Sequence, residues 1–310
     1  MDWRVKYMIQ KSLSLLPGQS GMHMNHVLSR RFGGLRDPKF FGFANTLAMC
    51  DLLRRNGFDT AGKTFVELGT GWTASSALIL LSLGADTLES FDIFRHLDDD
   101  LIAKARAAMD NLDEHTTKAF PFPCDLASLG AECRREAIDL EHFHYHAPHD
   151  ARTTGLADDS VDCYFSQAVL EHVPASIIPD LLKESMRILK PGGLCFHYVQ
   201  PTSHGAWTDA RATGIDYLTC SDWTWRYLYE NGIAHENRLR APEHVALIEA
   251  CGIEILGTWK TIDEKALQAL SGKQVAPRFR AFTPEELATD YIWILGRKPA
   301  TPATPATPGV

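Results

Sequence analysis

The sequence predicts an α/β fold in which a parallel sheet carries helices on both faces and follows a helical N-terminal layer. Three observations carry this. From residue 64 onward, short β-branched and aromatic runs alternate with segments of helical period, the pattern of strand–helix–strand units. The first run closes on an acid and a glycine turn, Glu67-Leu68-Gly69-Thr70-Gly71, where a strand hands over to a helix. Ahead of it, apolar residues recur at helical spacing.

In residues 3–16, Val5, Met8, Ile9, Leu13 and Leu16 fall near helical spacing, and the pattern stops at Pro17-Gly18. A second helix is expected over 24–32, ending at Gly33-Gly34, and a third over 43–56, leading through Gly57 into the first strand. Residues 1–60 thus read as a helical cap. Strands are expected at 64–68, 87–91, 143–147, 161–166 and 194–199, with two late ones at 253–259 and 289–296. Residues 94–142 are longer than one crossover helix needs and predict a helical insertion, with helices over 98–112 and 127–141. Residues 200–240, rich in Trp, Tyr, Arg and His, lie beyond the carboxyl end of strand five, where a substrate lid would sit. The main domain would span 61–298. The tail, 299–310, repeats Thr-Pro-Ala and reads as disordered.

The 310 residues are 45% hydrophobic, as in an ordinary globular chain, and contain no apolar run long enough to span a bilayer. No apolar core with a small-residue cleavage site follows Met1, so export is not expected. Cys50, Cys124, Cys133, Cys163, Cys195, Cys220 and Cys251 include no CxxC pair and read as reduced thiols of a cytoplasmic protein. A net charge of -8 argues against a nucleic-acid partner. Residues 1–40 nevertheless hold Arg4, Lys6, Lys11, Arg30, Arg31, Arg36 and Lys39 against Asp2 and Asp37. That excess reads either as a solvated helix face or as a face toward an anionic substrate or membrane surface.

The turn after Glu67 suits a ligand that the backbone must approach closely. Gly69-x-Gly71-x-x-Ala74 also satisfies the loose dinucleotide pattern, so an NAD-linked oxidoreductase is the first alternative. A carboxylate at Glu67 would repel a pyrophosphate but can orient a cationic ammonium group. Asp92 closes the second strand, 21 residues beyond Gly71, where a carboxylate can accept both hydroxyls of a ribose; its structural alternative is a helix N-cap. Asp150 can accept from an adenine amino group while the backbone at Ala151 pairs with the ring.

With the glycine turn, Asp92, Asp150-Ala151, Ser166-Gln167-Ala168-Val169-Leu170-Glu171-His172 and Leu189-Lys190-Pro191-Gly192-Gly193 in this order, residues 60–200 resemble the methyltransferase-11-like branch of class I S-adenosylmethionine (SAM) methyltransferases. The resemblance implies a Rossmann-like seven-stranded sheet, mostly parallel with the last strand antiparallel, and SAM as cofactor. It places Glu67, Gly69, Gly71, Asp92, Asp150, Ala151 and the backbone near Gln167 around that cofactor. The third glycine of the family's common Gly-x-Gly-x-Gly is Thr73 here. The chain is also similar to a narrower bacterial group associated with glycan and polysaccharide biosynthesis, through His197-Tyr198-Val199-Gln200-Pro201-Thr202-Ser203-His204 and Asn237-Arg238-Leu239-Arg240-Ala241-Pro242-Glu243-His244. Relatives carry aspartates near Gln200 and Ser203, so a carboxylate role there is absent.

These implications converge on a SAM-dependent O-methyltransferase acting on a sugar, glycan or other hydroxylated small molecule. A non-catalytic SAM-binding subunit of the same fold is the further alternative. An alcohol acceptor must lose a proton as the bond forms, and histidine suits that work. His172 and His204 are the candidates. Some sugar O-methyltransferases of the fold use a histidine near the position of His172, while Leu-Glu-His-Val also occurs in members with unrelated substrates. His197, inside a strand, reads as a buried imidazole. Arg238 and Arg240 could bind a phosphate or carboxylate of the substrate, and Trp207 could stack on a sugar face or simply pack the lid. His142, His144, His146 and His149 lack a Cys, Asp or Glu at ligand spacing, so no metal site is expected.

Overall fold

The structure is a computed structural model and describes residues 2–17, 20–32, 42–134, 136 and 138–300. Seven strands form one sheet: β1 (Thr64–Leu68), β2 (Thr87–Phe91), β3 (Phe143–His146), β4 (Val161–Gln167), β5 (Leu189–Val199), β6 (Glu254–Ile262) and β7 (Thr289–Arg297). Their order is β3-β2-β1-β4-β5-β7-β6. β7 runs antiparallel to both its neighbours, β5 and β6, while the remaining pairs are parallel. The order reverses between β1 and β4, the point at which such sheets open a crevice at the carboxyl ends of their strands.

Side-chain alternation divides the sheet into two dry faces. Phe65, Cys163, Phe165, Phe196, Tyr198, Trp293 and Leu295 fill one core. Val66, Tyr164, Cys195, Val199, Ile292 and Ile294 fill the other. Three N-terminal helices, α1 (Trp3–Ser14), α2 (Ser20–Phe32) and α3 (Phe43–Arg55), precede the sheet. They do different work. Leu47, Ala48, Met49 and Leu53 of α3 are sealed in the first core, together with Ala77, Leu78, Ile79 and Leu80 of α4 (Ser75–Ser82). Trp3 and Tyr7 of α1 instead join Tyr217, Trp225, Tyr229 and Phe279 in a third cluster under the lid.

Between β2 and β3 lie α5 (Asp99–Ala108), a 3-10 extension over Met109–His115, and α6 (Leu126–Glu132). The helix expected over 127–141 is therefore corrected: it ends at Glu132, where the Arg134 amide leaves the helical path to bond the Ser82 carbonyl at 2.9 Å. α7 (Ile178–Ile188) follows β4. The lid carries α8 (Asp222–Thr224) and a π-helical turn, Trp225–Tyr229, and runs into α9 (Ala241–Ala250). α10 (Glu264–Leu270) and α11 (Pro284–Leu287) lie between β6 and β7. No helix among the described residues is long and apolar enough to cross a membrane. Residues 301–310 of the expected tail lie outside the described residues, as do Arg36, Lys39 and the side chains of Arg30 and Arg31.

Candidate functional site

The site is built where β1, β2 and β4 end. Gly69 and Gly71 both take left-handed backbone, at φ 79° and 70°. Their surroundings differ. A Cβ on Gly69 would overlap the Val169 side chain just after β4, whereas a Cβ on Gly71 would meet nothing within 4 Å. The first glycine closes the turn against the sheet, and the second leaves its backbone open to a ligand. Thr73 is buried and its hydroxyl pairs with Ser75 at 2.6 Å, so the turn accommodates a side chain at that position.

Two buried carboxyl groups flank the turn. Glu67 accepts from the Ser90 hydroxyl at 2.9 Å, and burial pushes its pKa up to about 7. The Thr70 and Ser90 hydroxyls bond each other beside it. Asp92 accepts from the Gly71 amide at 3.2 Å and from the Tyr145 hydroxyl at 3.5 Å, and burial raises it to about 7 as well. Asp92 is no helix cap; α5 is capped by Asp98. The Asp92 carbonyl accepts the His149 amide at 2.8 Å, which ties the β2 end to the segment carrying Asp150 and Ala151. Ala151 is buried. Asp150 is half-exposed, paired with Arg152 (Nε to Oδ1, 3.0 Å), and that hydrogen bond holds its carboxyl below the usual range. Gln167 donates from Nε2 to Thr46 Oγ1 of α3 at 3.0 Å and to Ser76 Oγ of α4 at 3.3 Å, locking both helices over the end of β4.

A second constellation lies between β4, β5 and α1. His172 donates from Nδ1 to the His235 carbonyl at 2.6 Å, so Nε2 keeps its lone pair. Its ring stands edge-on to His204 with centroids 4.7 Å apart, and His204 stacks on Trp207 at 4.2 Å. Burial lowers both imidazoles, His204 strongly. Glu171 accepts the Gln200 amide at 3.2 Å and is pushed up to about 8 by burial. Glu236 accepts from the Tyr7 hydroxyl at 2.6 Å and the His204 amide at 3.0 Å, and burial raises it to about 7. Lys6 donates to the His204 carbonyl at 3.0 Å, its pKa lowered by burial. Of the basic amino-terminal residues, Lys6 thus turns inward, while Lys11 caps the carbonyls of Arg226 and Glu230.

The structure brings His172, His204 and Trp207 together. Arg238 is 3% exposed and Arg240 is wholly buried. Arg238 donates to the carbonyls of Cys220 (2.6 Å) and Tyr217 (3.2 Å) and lies against the Phe279 and Trp225 rings. Arg240 donates to the Tyr217 hydroxyl at 2.7 Å. Both guanidinium groups are enclosed, and Arg238 Nε and Arg240 Nε and Nη2 have no hydrogen-bond partner among the described residues. His197 is the buried imidazole expected, 2.8 Å from the Ser166 hydroxyl. In the histidine tract, Glu89 accepts from His144 (2.8 Å) and His146 (2.6 Å) across the β2–β3 register, a partner that linear spacing does not reveal. Glu171, Glu236, Tyr7 and Lys6 were not singled out as site residues; of these, Glu171 was visible beside His172, and the others gain meaning only from the docking of α1.

Residues 123–197 match the methyltransferase-11 family, described as a methyltransferase domain. No curated protein matches the chain at a significant level. Similar solved structures include a SAM-dependent methyltransferase from Methanosarcina mazei, 16% identical over 80% of this chain and 98% of that one, with a TM-score of 0.48. Magnesium protoporphyrin IX methyltransferase from Synechocystis PCC 6803 is 11% identical over 89% and 94%, TM-score 0.49. Geranyl diphosphate C-methyltransferase from Streptomyces coelicolor A3(2) is 12% identical over 81% and 78%, TM-score 0.45. The sheet is that of the Rossmann-like methyltransferase fold, and the cofactor this implies is SAM. The residues fit it: an open backbone at Gly71 lies between two buried carboxyl groups, Glu67 and Asp92, that form no ion pair among the described residues.

Proposed function

We propose that the chain transfers methyl from SAM to a hydroxyl oxygen of a sugar, glycan or other hydroxylated small molecule. One observation carries this reading: two half-buried, mutually oriented imidazoles, His172 and His204, stand beyond the ends of β4, which borders the strand of the cofactor turn, and of β5 next to it. SAM, when bound, supplies an electrophilic methyl on a sulfonium with a good leaving group. The chain's own residues then have three tasks. Glu67 offers a carboxyl to the cofactor's ammonium group and Asp92 accepts from its ribose hydroxyls, with Gly69, Gly71, Asp150, Ala151 and the Gln167 backbone shaping the rest of the cradle. The lid and α1 exclude water and hold the acceptor in line. His172 Nε2 or His204 Nε2 takes the hydroxyl proton as the new bond forms, and low basicity from burial keeps either nitrogen unprotonated at neutral pH.

Trp207, 61% exposed, has one ring face against His204 and offers the other to a sugar ring. Arg238 and Arg240 serve by fixing the lid. Seven free cysteines fit a reducing compartment and a cytoplasmic location. The test is calorimetric titration with S-adenosylhomocysteine and, separately, NADH, on the intact chain and on Asp92→Ala. Micromolar S-adenosylhomocysteine binding that weakens at least tenfold in the variant supports the reading. A preference for NADH would replace it with the oxidoreductase. Tight binding with no labelled methyl acceptor in any host extract would leave a SAM-binding subunit instead.

A further inference from the structure

The geometry points to a binding site for a divalent transition-metal cation, zinc in the first instance, formed by Glu171, His172 and His204. One donor atom from each lies within 4.8 Å of the others. Two of those side chains, the buried Glu171 and the half-buried His204, each hold a buried polar atom that no described residue satisfies, Oε2 and Nε2. Burying a carboxylate oxygen and an imidazole nitrogen without partners is costly, and a shared cation relieves both at once. His172 adds the feature that ligating histidines show: Nδ1–H is donated to a carbonyl, here His235, which fixes the tautomer and leaves Nε2 to coordinate. His204 is oriented by its stack on Trp207 and by its own amide bond to Glu236.

Tetrahedral donors about 2.0–2.2 Å from one cation lie about 3.4 Å apart, so a set whose donors lie within 4.8 Å closes by up to about 1.4 Å on binding. Small side-chain torsions of the two rings supply that movement. Two imidazoles and one carboxylate suit zinc, manganese, iron or nickel rather than magnesium or calcium, which prefer oxygen ligands. Three protein ligands leave a position for an exchangeable oxygen, the arrangement of catalytic sites. Among the described groups facing the cluster, Lys6 opposes a cation and Glu236 favours one.

The use of such a site rests on the methyl-transfer reading. An acceptor hydroxyl bound to the cation has its pKa lowered and releases its proton to water. The oxygen–methyl bond then forms as the sulfonium–methyl bond breaks, with the electron pair returning to sulfur. In the metal-loaded protein both imidazoles are ligands, and neither takes the proton.

The experiment uses the full chain, stripped with a chelator and titrated with Zn²⁺ by calorimetry without any cofactor; Co²⁺ serves as a visible spectroscopic probe. One equivalent binding at micromolar Kd or tighter is expected, weakened at least tenfold in His204→Gln and in Glu171→Gln. The paired change His144→Ala with His146→Ala, which removes the exposed tract, leaves that binding intact. Uptake that is absent, or that persists in both cluster variants, overturns the proposal. Far-UV circular dichroism confirms that each variant folds; should His204→Gln fail to fold, Glu171→Gln and the Co²⁺ spectrum still decide. S-adenosylhomocysteine titration is a separate arm: zinc binding without it would remove the methyl-transfer reading and leave the metal site standing.

Discussion

At the scale of single residues, the two glycines of the turn carry different constraints and give separable predictions. Both sit at positive φ, where an alanine costs about 1–2 kcal/mol of backbone strain. Gly69→Ala adds an overlap with Val169, three residues before His172, so it is expected to lose stability and disturb the acceptor side together. Gly71→Ala meets no neighbour, so its stability loss stays near the backbone value while S-adenosylhomocysteine binding falls at least tenfold. Urea denaturation beside calorimetry separates the two. If Gly71→Ala keeps its affinity within twofold, the cofactor does not lie on this turn.

At the scale of elements, α1 is the part whose role changes most between sequence and structure. Its buried Tyr7 reaches across 229 residues to Glu236 and across 196 to the Ser203 hydroxyl, at 2.8 Å. Tyr7→Phe leaves the Glu236 carboxyl short of its donor, a loss of about 1–3 kcal/mol for a buried group. Hydrogen exchange is expected to quicken over 203–236 and to stay unchanged in β1 and β4; uniform quickening would mean that α1 is no local clamp. Arg238→Ala removes the fork that holds two lid carbonyls, so melting temperature falls by several degrees and the loss of turnover is general rather than specific to anionic acceptors. A selective rise in KM for anionic acceptors at unchanged stability would restore the substrate-binding reading of this residue. The strands were legible as short runs rich in β-branched and aromatic residues; β1 and β2, which run up to Gly69 and Asp92, match residue for residue. The end of α6 was not, since its limit comes from a tether to Ser82 rather than from local propensity. The Glu89 clasp on His144 and His146 depends on register between strands more than fifty residues apart, and the acidity of Glu236 depends on burial under α1. Those contacts exist only once the chain has folded.

At the scale of the whole molecule, the unusual burden is the number of buried titratable groups, and it predicts how stability follows pH. Burial raises Glu67, Asp92 and Glu236 to about 7 and Glu171 to about 8, all far above their values in an unfolded chain. Between pH 6.5 and 8 the folded protein therefore binds more protons than the unfolded one, and stability falls as pH rises. Each such proton contributes a slope of up to about 1.4 kcal/mol per pH unit. Burial also lowers His172, His197, His204, His235 and His244, the fourth partly offset by Glu230. Those groups act on the other side: below pH 6.5 the unfolded chain gains protons that the folded one refuses, so stability falls as pH drops. Below pH 6.5 the carboxyl groups, which hold extra protons from about pH 4.5 upward, oppose the imidazoles, whereas between pH 6.5 and 8 they act alone. Thermal melts are expected to show Tm several degrees lower at pH 8 than at pH 6.5. The drop persists in high salt, because desolvation rather than screened charge pairs produces it. Glu171→Gln, which keeps the shape and removes the titration, makes the alkaline drop shallower. A Tm that climbs steadily from pH 6.5 to 8 would show that these carboxyl groups are hydrated, and the enclosed acceptor site would then have to be redrawn as an open one.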